Sequence, residues 1–528
     1  MLSAARRKWI VVFLAFAVPL IYAAYTQHVW EDFFITLKSS RNLVEGNGLV
    51  YTPGDRLHTF TSPLGVLVPA GCYWLAGSSH EDGAIWLYRM LNAVCLASAA
   101  GLVFGRFRTL KVGLAGFVVF FGLVLFDAKL TEYAIDGMET AILAYFVCLL
   151  WSELEREEGF RIGVVAVACA GLEWTRPDAF ILGGALILAH FIFRGKGAQV
   201  QPRRFGAIAR AIAVSIVLYV PWLIWAWWYY GSPVPHTIVA KAQFSAPVHL
   251  GDLLTVPWRT LIGTSLLGDL FLPIYWVYGS WLPWLPVFGA ALAIVAAFAW
   301  LLPPLAVKAR RASFAVFVGM FYVCSIILFP WYCPAWAVIA FLAIALTVDQ
   351  AWTYGREHGL RWLNGLLTGA LAAVFVIQAG IFVATAAEMH VQQRLIENGV
   401  RRDIGRWLNR TAAPGDSVFL EPLGYIGYYS RLKMYDFPGL SSSEVVRAIH
   451  AGNYRFTEVI ATLKPTWLVL RPFEVADSRL PQNAALRDYE LVRTWDVHPQ
   501  LAAEGFVPGR GWLEHDSEFK VFHRKTRP

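Results

Sequence analysis

The chain carries little charge. Of its 528 residues only 16% are Asp, Glu, Lys or Arg, against 57% that are hydrophobic, and the mean hydropathy is +0.50. So apolar a composition excludes an ordinary soluble domain. Cysteine is scarce as well. Cys72, Cys95, Cys148, Cys169, Cys324 and Cys333 all lie in or beside apolar runs, with no CxxC or metal-like spacing. That pattern predicts neither a disulfide framework nor a zinc site. There is no internal repeat and no low-complexity tract. The net charge of +8 forms no continuous basic patch, because the basic residues fall between apolar runs, and this excludes nucleic acid as a partner. The first apolar run follows Arg6-Arg7-Lys8 and has no small-residue cleavage site before Trp30-Glu31. It reads as a retained span rather than a signal peptide.

What the chain has is long apolar runs. A span takes about 20 apolar residues, and the runs place spans near 9–26, 83–105, 112–127, 138–152, 162–174, 178–193, 205–229, 283–306, 313–330, 334–350 and 362–387, eleven in all. Many Trp residues stand near their ends, as in an interfacial belt. A further apolar piece, 63–77, holds Pro63 and Pro69 and reads as a segment lying in or dipping into the outer interface. The positive charges set the orientation. With the N-terminus in the cytoplasm, the inner loops hold Arg6, Arg7 and Lys8; Arg106, Arg108 and Lys111; Arg156 and Arg161; Arg194, Lys196, Arg203 and Arg204; Lys308, Arg310 and Arg311; and Arg356 and Arg361. The outer face then receives the loop 27–82, the turn 127–140, WTRPD at 174–178, the loop from Tyr229, FPWYCP at 329–334 and everything after 387. Nearly every polar cluster that inner charge does not explain falls on that one face. Ionisable groups at membrane depth are costly, and those tolerated line polar cavities.

The composition changes at Glu388. A helix over 388–409 stops at Pro414-Gly415-Asp416, and strands follow at 417–422, 432–439, 466–470, 489–495 and 519–523. A helix is predicted over 442–463 with Ser443 as its cap. The alternation predicts an extramembrane α/β domain over 388–528, after a membrane domain over 1–387.

Four stretches carry the polar chemistry. In WEDFFITLKSSRNLVEGNGLVYTPGDR the acids Glu31 and Asp32 are adjacent, followed by Lys38, Arg41 and a Gly46-Asn47-Gly48 turn. One carboxylate there can take a hydroxyl proton while the other binds a sugar or a basic partner. The pair also suits Mg²⁺ or Ca²⁺, which prefer oxygen ligands. The plain alternative is a solvated, salt-bridged loop. Asp136-Gly137-Met138-Glu139-Thr140 reads as a helix cap, which leaves Asp127, Lys129 and Glu132 upstream unexplained. Thr175-Arg176-Pro177-Asp178 offers a guanidinium for a phosphate, or a local Arg176–Asp178 pair, or snorkelling to headgroups. The loop YYGSPVPHTIVAKAQF presents His236 and Lys241 as phosphate contacts, with its aromatics otherwise forming an interface belt.

In order and spacing these stretches resemble the GT-C polyprenyl-phosphate glycosyltransferases. They are most similar to the mycobacterial terminal arabinofuranosyltransferase group, with its paired acids, GNG turn, G-(M/L)-E segment, RP-acid segment and YYG…P…AK loop. The resemblance covers most of 27–245 and thins afterwards, where EPLGYIGYYSRLKMYDFPGL is similar to the family's extramembrane strand-turn-strand. It implies a GT-C membrane enzyme of the bacterial inner membrane. Such an enzyme moves an arabinofuranosyl residue, on the outer face, from a polyprenyl-phosphate donor held in the membrane lipid to a glycan, glycolipid or protein acceptor. It implies that Asp32, with Glu31, stands at the catalytic centre. The family usually shows two aspartates, and Glu31 departs from that, so Asp32 is taken as base and Glu31 as an acceptor or metal contact. Arg176, His236 and Lys241 are expected at the donor phosphate, and Arg41, Asp136, Glu139, Asp178, Tyr230 and Tyr428 at the substrates. Two alternatives stand beside this. One is transfer of mannose or aminoarabinose to protein or lipid. The other is a non-enzymatic lipid-linked sugar transporter, against which count the missing repeat symmetry and the outer placement of the polar groups.

Overall fold

All eleven apolar runs form helices, as a chain in lipid must to satisfy its own backbone. The structure is a computed structural model describing residues 3–77, 80–156, 158–194, 202–244, 249–325, 329–477 and 484–525. Lys196, and residues 326–328 of the predicted span 313–330, lie outside the described residues. In chain order the membrane part contains α1 (Ala4–Thr26), α2 (Phe33–Val44), α3 (Pro63–Ala76), α4 (Glu81–Thr109), α5 (Leu114–Leu125), α6 (Ala128–Ile135), α7 (Thr140–Leu154), α8 (Ile162–Thr175), α9 (Phe180–Ile192), α10 (Pro202–Tyr230), α11 (His236–Ala242), α12 (Leu250–Leu261), α13 (Leu285–Phe298), α14 (Val307–Val323), α15 (Cys333–Glu357) and α16 (Arg361–Val391). Helices α1, α4, α10, α15 and α16 are long and apolar enough to cross a membrane, and α5 with α6, bent by 51°, makes a sixth if the two form one span. The chain is a multi-pass membrane protein. The other predicted spans are helices of 13 to 17 residues. Fourteen residues rise about 21 Å, short of the roughly 30 Å hydrocarbon core.

Helix α15 is the centre of the bundle. Its apolar window is 89% buried, against 11% for the span that begins with α16 and 22% for α10. Its alanine-rich sequence, CPAWAVIAFLAIAL, permits the close approach of α5, α13 and α14.

The polar turn expected over 127–140 is mostly helical. Asp127 caps α6, its Oδ1 accepting from the Leu130 N–H at 2.6 Å, and Lys129 donates to the Asp269 carbonyl. Asp136 ends α6 rather than starting α7, whose N-cap is Glu139 with no capping bond from its side chain. The piece 63–77 is α3, capped by Ser62 and packed on α2 and α4.

Past α16 the helix continues without a break. It widens to π-helical hydrogen bonding over Gln392–Arg402 and closes as α17 (Asp403–Thr411) before Pro414. The sheet follows: β1 (Ser417–Leu420), β2 (Lys433–Asp436), β3 (Trp467–Leu470), β4 (Tyr489–Asp496) and β5 (Glu518–Arg524), in the order β2-β1-β3-β5-β4. Strand β1 pairs parallel to β2 and β3, while β5 pairs antiparallel to β3 and β4. All five strands lie within or beside the stretches predicted from alternation. Helix α18 (Gly424–Ser430) joins β1 to β2. The single helix expected over 442–463 is two, α19 (Ser443–His450) and α20 (Phe456–Leu463), parted by Gly452 at φ +99° and Asn453. The cap of α19 is Ser442, one residue before the expected Ser443, with Oγ accepting from Val445 N–H at 3.3 Å.

Candidate functional site

Glu31 and Asp32 emerge where the chain leaves α1 and turns into α2. Phe33 and Phe34 are buried behind them, and Phe34 packs on Tyr425 of α18 at 4.1 Å between ring centroids. This lodges the start of α2 against the extramembrane domain and leaves both acids half-buried at the junction. Their commitments differ. Glu31 Oε1 accepts from the Gly424 N–H, and the carboxylate faces the Arg401 guanidinium. Burial pushes the Glu31 carboxyl well above its usual range against the pull of Arg401, with Asp32 adding to the rise. Asp32 is the N-cap residue of α2, yet its side chain makes no capping bond. One acid is tied to the sheet domain, and the other makes no side-chain hydrogen bond among the described residues.

The approach of Gly424 is closer than any side chain allows. A Cβ there would lie 1.9 Å from the Glu31 carbonyl oxygen. Gly424→Ala is therefore expected to push the acidic turn away from α18. It should lower stability by about 1–3 kcal/mol, the usual cost of overpacking, and should lower turnover as well. The unfolding midpoint in detergent and the transfer rate check this, and an unchanged protein would contradict it.

A chain of aromatic contacts starts at Trp30, two residues before Asp32. Trp30 stacks on Tyr275 at 5.9 Å and meets Trp331 edge-on at 6.2 Å, while Tyr275 stacks on Trp512 of the extramembrane domain at 3.8 Å. Trp331 stacks on Phe329 at 4.7 Å, and Phe329 on Tyr332 at 6.2 Å. At the far end of this wall the Arg176 guanidinium lies over Tyr332 at 4.1 Å and the Lys241 ammonium over Phe329 at 5.1 Å. Aromatic faces suit both an apolar lipid chain and the C–H face of a sugar.

Arg176 is also paired with carboxylates. It donates to Asp178 at 3.1 and 3.3 Å and to Glu139 at 3.4 Å, and Asp178 accepts from the Tyr322 hydroxyl at 2.5 Å. Of the readings open for Arg176, the local pair with Asp178 is present, and the side chain, largely buried, does not snorkel. Glu139, Arg176, Asp178 and Lys241 thus gather at one end of the wall, with Glu31 and Asp32 at the other.

The remaining expected contacts are spent on holding parts together. Arg41 lies over the Tyr428 ring at 4.1 Å and donates to the Tyr428 carbonyl at 3.3 Å, while the Tyr428 hydroxyl bonds that of Tyr73. Both are buried between α2 and α18. The Tyr230 hydroxyl donates to the Leu49 carbonyl at 2.6 Å, and a Cβ at Gly48 would lie 2.3 Å from the Tyr229 hydroxyl. The GNG turn and the YYG motif therefore pack on one another. His236 donates its backbone N–H to the His58 carbonyl at 2.8 Å, and its ring, lowered in pKa by burial, faces Ser442, Gly439 and Asp436 of the extramembrane domain. Asp136 is fully buried beside Glu132, away from open space.

An ion network drawn from distant parts of the chain lies beside Glu31. Arg401 pairs with Glu397 at 2.7 Å and Asp516 at 2.5 Å, and Arg471 pairs with Asp516 at 2.9 Å, Glu474 at 2.5 Å and Glu421 at 2.8 Å. Burial raises Asp516, but Arg401 and Arg471 outweigh it and hold its carboxyl below the usual range. Glu421, just past the carboxyl end of β1, keeps 43% of its side chain accessible although Arg471, Arg401 and Asp516 crowd it. Burial pushes its carboxyl up to about 7, against the pull of Arg471. Glu421 was legible as an acid at a strand's carboxyl end, where ligands gather in open α/β sheets. Arg401 was legible as the i+4 partner of Glu397, while nothing local marks Tyr275 or Asp516.

A Mg²⁺ or Ca²⁺ at the acidic pair finds one uncommitted carboxylate, since Glu31 already serves an N–H and a guanidinium. Calcium takes about six to eight oxygens. Among the described residues, groups of three or more His, Cys, Asp or Glu at metal-binding spacing are His28–Glu132–Asp136 and the largely exposed Asp496–His498–Glu518. Neither includes Glu31 or Asp32.

Comparison with known proteins adds to this geometry. A family model described as a domain of unknown function (DUF8728) matches residues 387–522. The terminal beta-(1->2)-arabinofuranosyltransferase of Corynebacterium glutamicum is 24% identical over 290 residues, which cover 49% of this chain and 40% of that protein. The protein of the same name from Mycobacterium tuberculosis is 24% identical over 227 residues, 40% of this chain and 34% of that one. The match thus spans less than half the length of either curated relative. Among solved structures, ArnT from Cupriavidus metallidurans bound to undecaprenyl phosphate superposes with a TM-score of 0.56 at 14% identity over 98% of both chains. The chain is a membrane protein of GT-C fold, similar in sequence over about half its length to terminal arabinofuranosyltransferases.

Proposed function

We propose that the protein transfers an arabinofuranosyl residue from a polyprenyl-phosphate donor to a cell-envelope glycan, on the outer face of the bacterial inner membrane. The observation that carries this reading is the uncommitted Asp32 carboxylate at one end of an aromatic wall whose other end holds Arg176 and Lys241. The GT-C fold and the sequence relatives support it, as does the undecaprenyl phosphate bound by the ArnT counterpart.

The lipid chain enters between helices along the aromatic side. Its phosphate takes the place beside Arg176 and Lys241, and the acceptor arrives from the aqueous side, past the accessible carboxylate of Glu421. Asp32 accepts the proton of the acceptor hydroxyl as that oxygen bonds to the anomeric carbon. The bond from that carbon to the phosphate oxygen breaks, and the electron pair leaves on the polyprenyl phosphate. Glu31, held toward its protonated form, fixes the turn on which Asp32 stands.

Purified protein offered labelled polyprenyl-phosphate arabinofuranose, mannose and aminoarabinose tests the sugar. Label is expected in the glycan from the first donor, and transfer from another donor alone would replace this reading. Arg176→Ala is expected to weaken donor binding by about tenfold or more, the loss of one charge-assisted contact. An unchanged donor affinity would confine Arg176 to its pairs with Asp178 and Glu139.

A further inference from the structure

Three residues before Glu31 the chain passes His28, whose Nδ1 meets Glu132 Oε1 on α6. Asp136, at the end of the same helix, completes a group in which one ligand atom from each residue lies within 4.8 Å of the others. All three side chains are buried without exposure. Each retains a buried atom with no hydrogen-bond partner: Nε2 of His28, Oε2 of Glu132 and Oδ2 of Asp136. Glu388 of α16 is equally buried, interacts electrostatically with Glu132, and has neither oxygen partnered. The Tyr22 hydroxyl of α1 stands beside Glu132.

The guanidinium facing this group belongs to Arg89, and its hydrogen bonds go to the backbone, to the His28 carbonyl at 2.6 Å and the Ile135 carbonyl at 2.9 Å. With all three carboxyls ionised, one guanidinium leaves two negative charges unbalanced, or one if His28 is protonated against Glu132, and unpaired buried charge is strongly disfavoured. A divalent cation supplies that balance and gives the orphaned atoms something to bind.

We propose that His28, Glu132 and Asp136 bind a divalent transition-metal cation, with Glu388 and Tyr22 closing the shell around it. An imidazole nitrogen with two carboxylates is a donor set for Zn²⁺ or Mn²⁺, whereas Mg²⁺ and Ca²⁺ take oxygen alone. Cysteine spacing does not bear on the site, because no cysteine belongs to it. The cation ties the turn after α1 to α6. The Trp30 N–H already donates to the Asp136 carbonyl at 3.0 Å, so the cation sets where Glu31 and Asp32 leave that turn. Its role is to position the acidic turn, and no bond-making step passes through it.

The test uses the full chain purified in detergent without added metal. Elemental analysis is expected to find one equivalent of zinc or manganese per chain. A chelator should lower the unfolding midpoint, and Zn²⁺ or Mn²⁺, but not Mg²⁺ or Ca²⁺, should restore it. Glu132→Gln, which keeps the shape and removes the charge, is expected to lose the metal. If that variant does not fold, the wild-type measurements still decide. A wild-type protein that carries no metal, and whose midpoint responds to neither chelator nor Zn²⁺ nor Mn²⁺, would overturn the proposal and leave the group sharing protons. Recovery with Mg²⁺ or Ca²⁺ alone would overturn the choice of metal class.

Discussion

Asp32→Asn is expected to lower sugar transfer by about two to four orders of magnitude, the usual worth of a positioned general base, with the protein still folded. The amide has nearly the shape of the carboxylate but takes no proton at neutral pH. Because the Asp32 side chain makes no capping bond in α2, the substitution removes no structural hydrogen bond and the unfolding midpoint should stay close to wild type. Donor affinity should also survive, since the phosphate is assigned to the far end of the aromatic wall. Glu31→Gln is the internal control. It keeps an acceptor for the Gly424 N–H, so its effect on turnover should be smaller than that of Asp32→Asn. Full activity in Asp32→Asn would remove Asp32 from the role of base.

Arg401→Met is expected to destabilise the fold by about 3–5 kcal/mol, the cost of breaking a buried ion pair from one side. The guanidinium serves Glu397 and Asp516 directly and faces Glu31. Methionine fills much of the same space, so the loss is chiefly electrostatic. Asp516 keeps its bond to Arg471, and Glu397 keeps the Gln392 amide at 3.0 Å, which limits the cost to the lower part of that range for those two acids. Glu31 has the Gly424 N–H in reserve, but its turn loses the charge that faces it, and transfer should fall together with stability. An unfolding midpoint equal to wild type would show that the network contributes little beyond what water would supply.

Long-period features were legible in the chain, and long-range pairings were not. Apolar runs marked the long helices of the bundle, and β-rich stretches marked all five strands, but α2, α6, α11 and α12 fall in stretches read as an outer loop, a polar turn or left unassigned. The number of membrane crossings was less legible, because runs such as 162–174 and 178–193 give helices that stop at a polar break around Arg176 and Asp178. Gly452-Asn453 splits α19 from α20, a local signal that the apolar pattern of 442–463 overrides on paper.

At the site, adjacency made Glu31 and Asp32 visible, and the RPD spacing made the Arg176–Asp178 pair visible. Arg41 and Tyr428 were chosen for their chemistry, yet they satisfy one another across 387 positions, which no local pattern encodes. The same holds for Arg401 with Asp516, 115 apart, and for His28 with Glu132, 104 apart. Sequence reading finds the side chains able to do chemistry. The fold decides which of them are already committed.

The protein is expected to break the bond between a sugar and a polyprenyl phosphate rather than merely carry the lipid-linked sugar across. The most direct test is to incubate purified wild-type protein in vesicles with labelled polyprenyl-phosphate arabinofuranose and an acceptor glycan, then measure free polyprenyl phosphate and labelled glycan together. Equal amounts of the two products, both lost in Asp32→Asn, are the predicted result. Intact donor that changes leaflet, with no free polyprenyl phosphate and no labelled glycan, would make the protein a carrier and not a transferase.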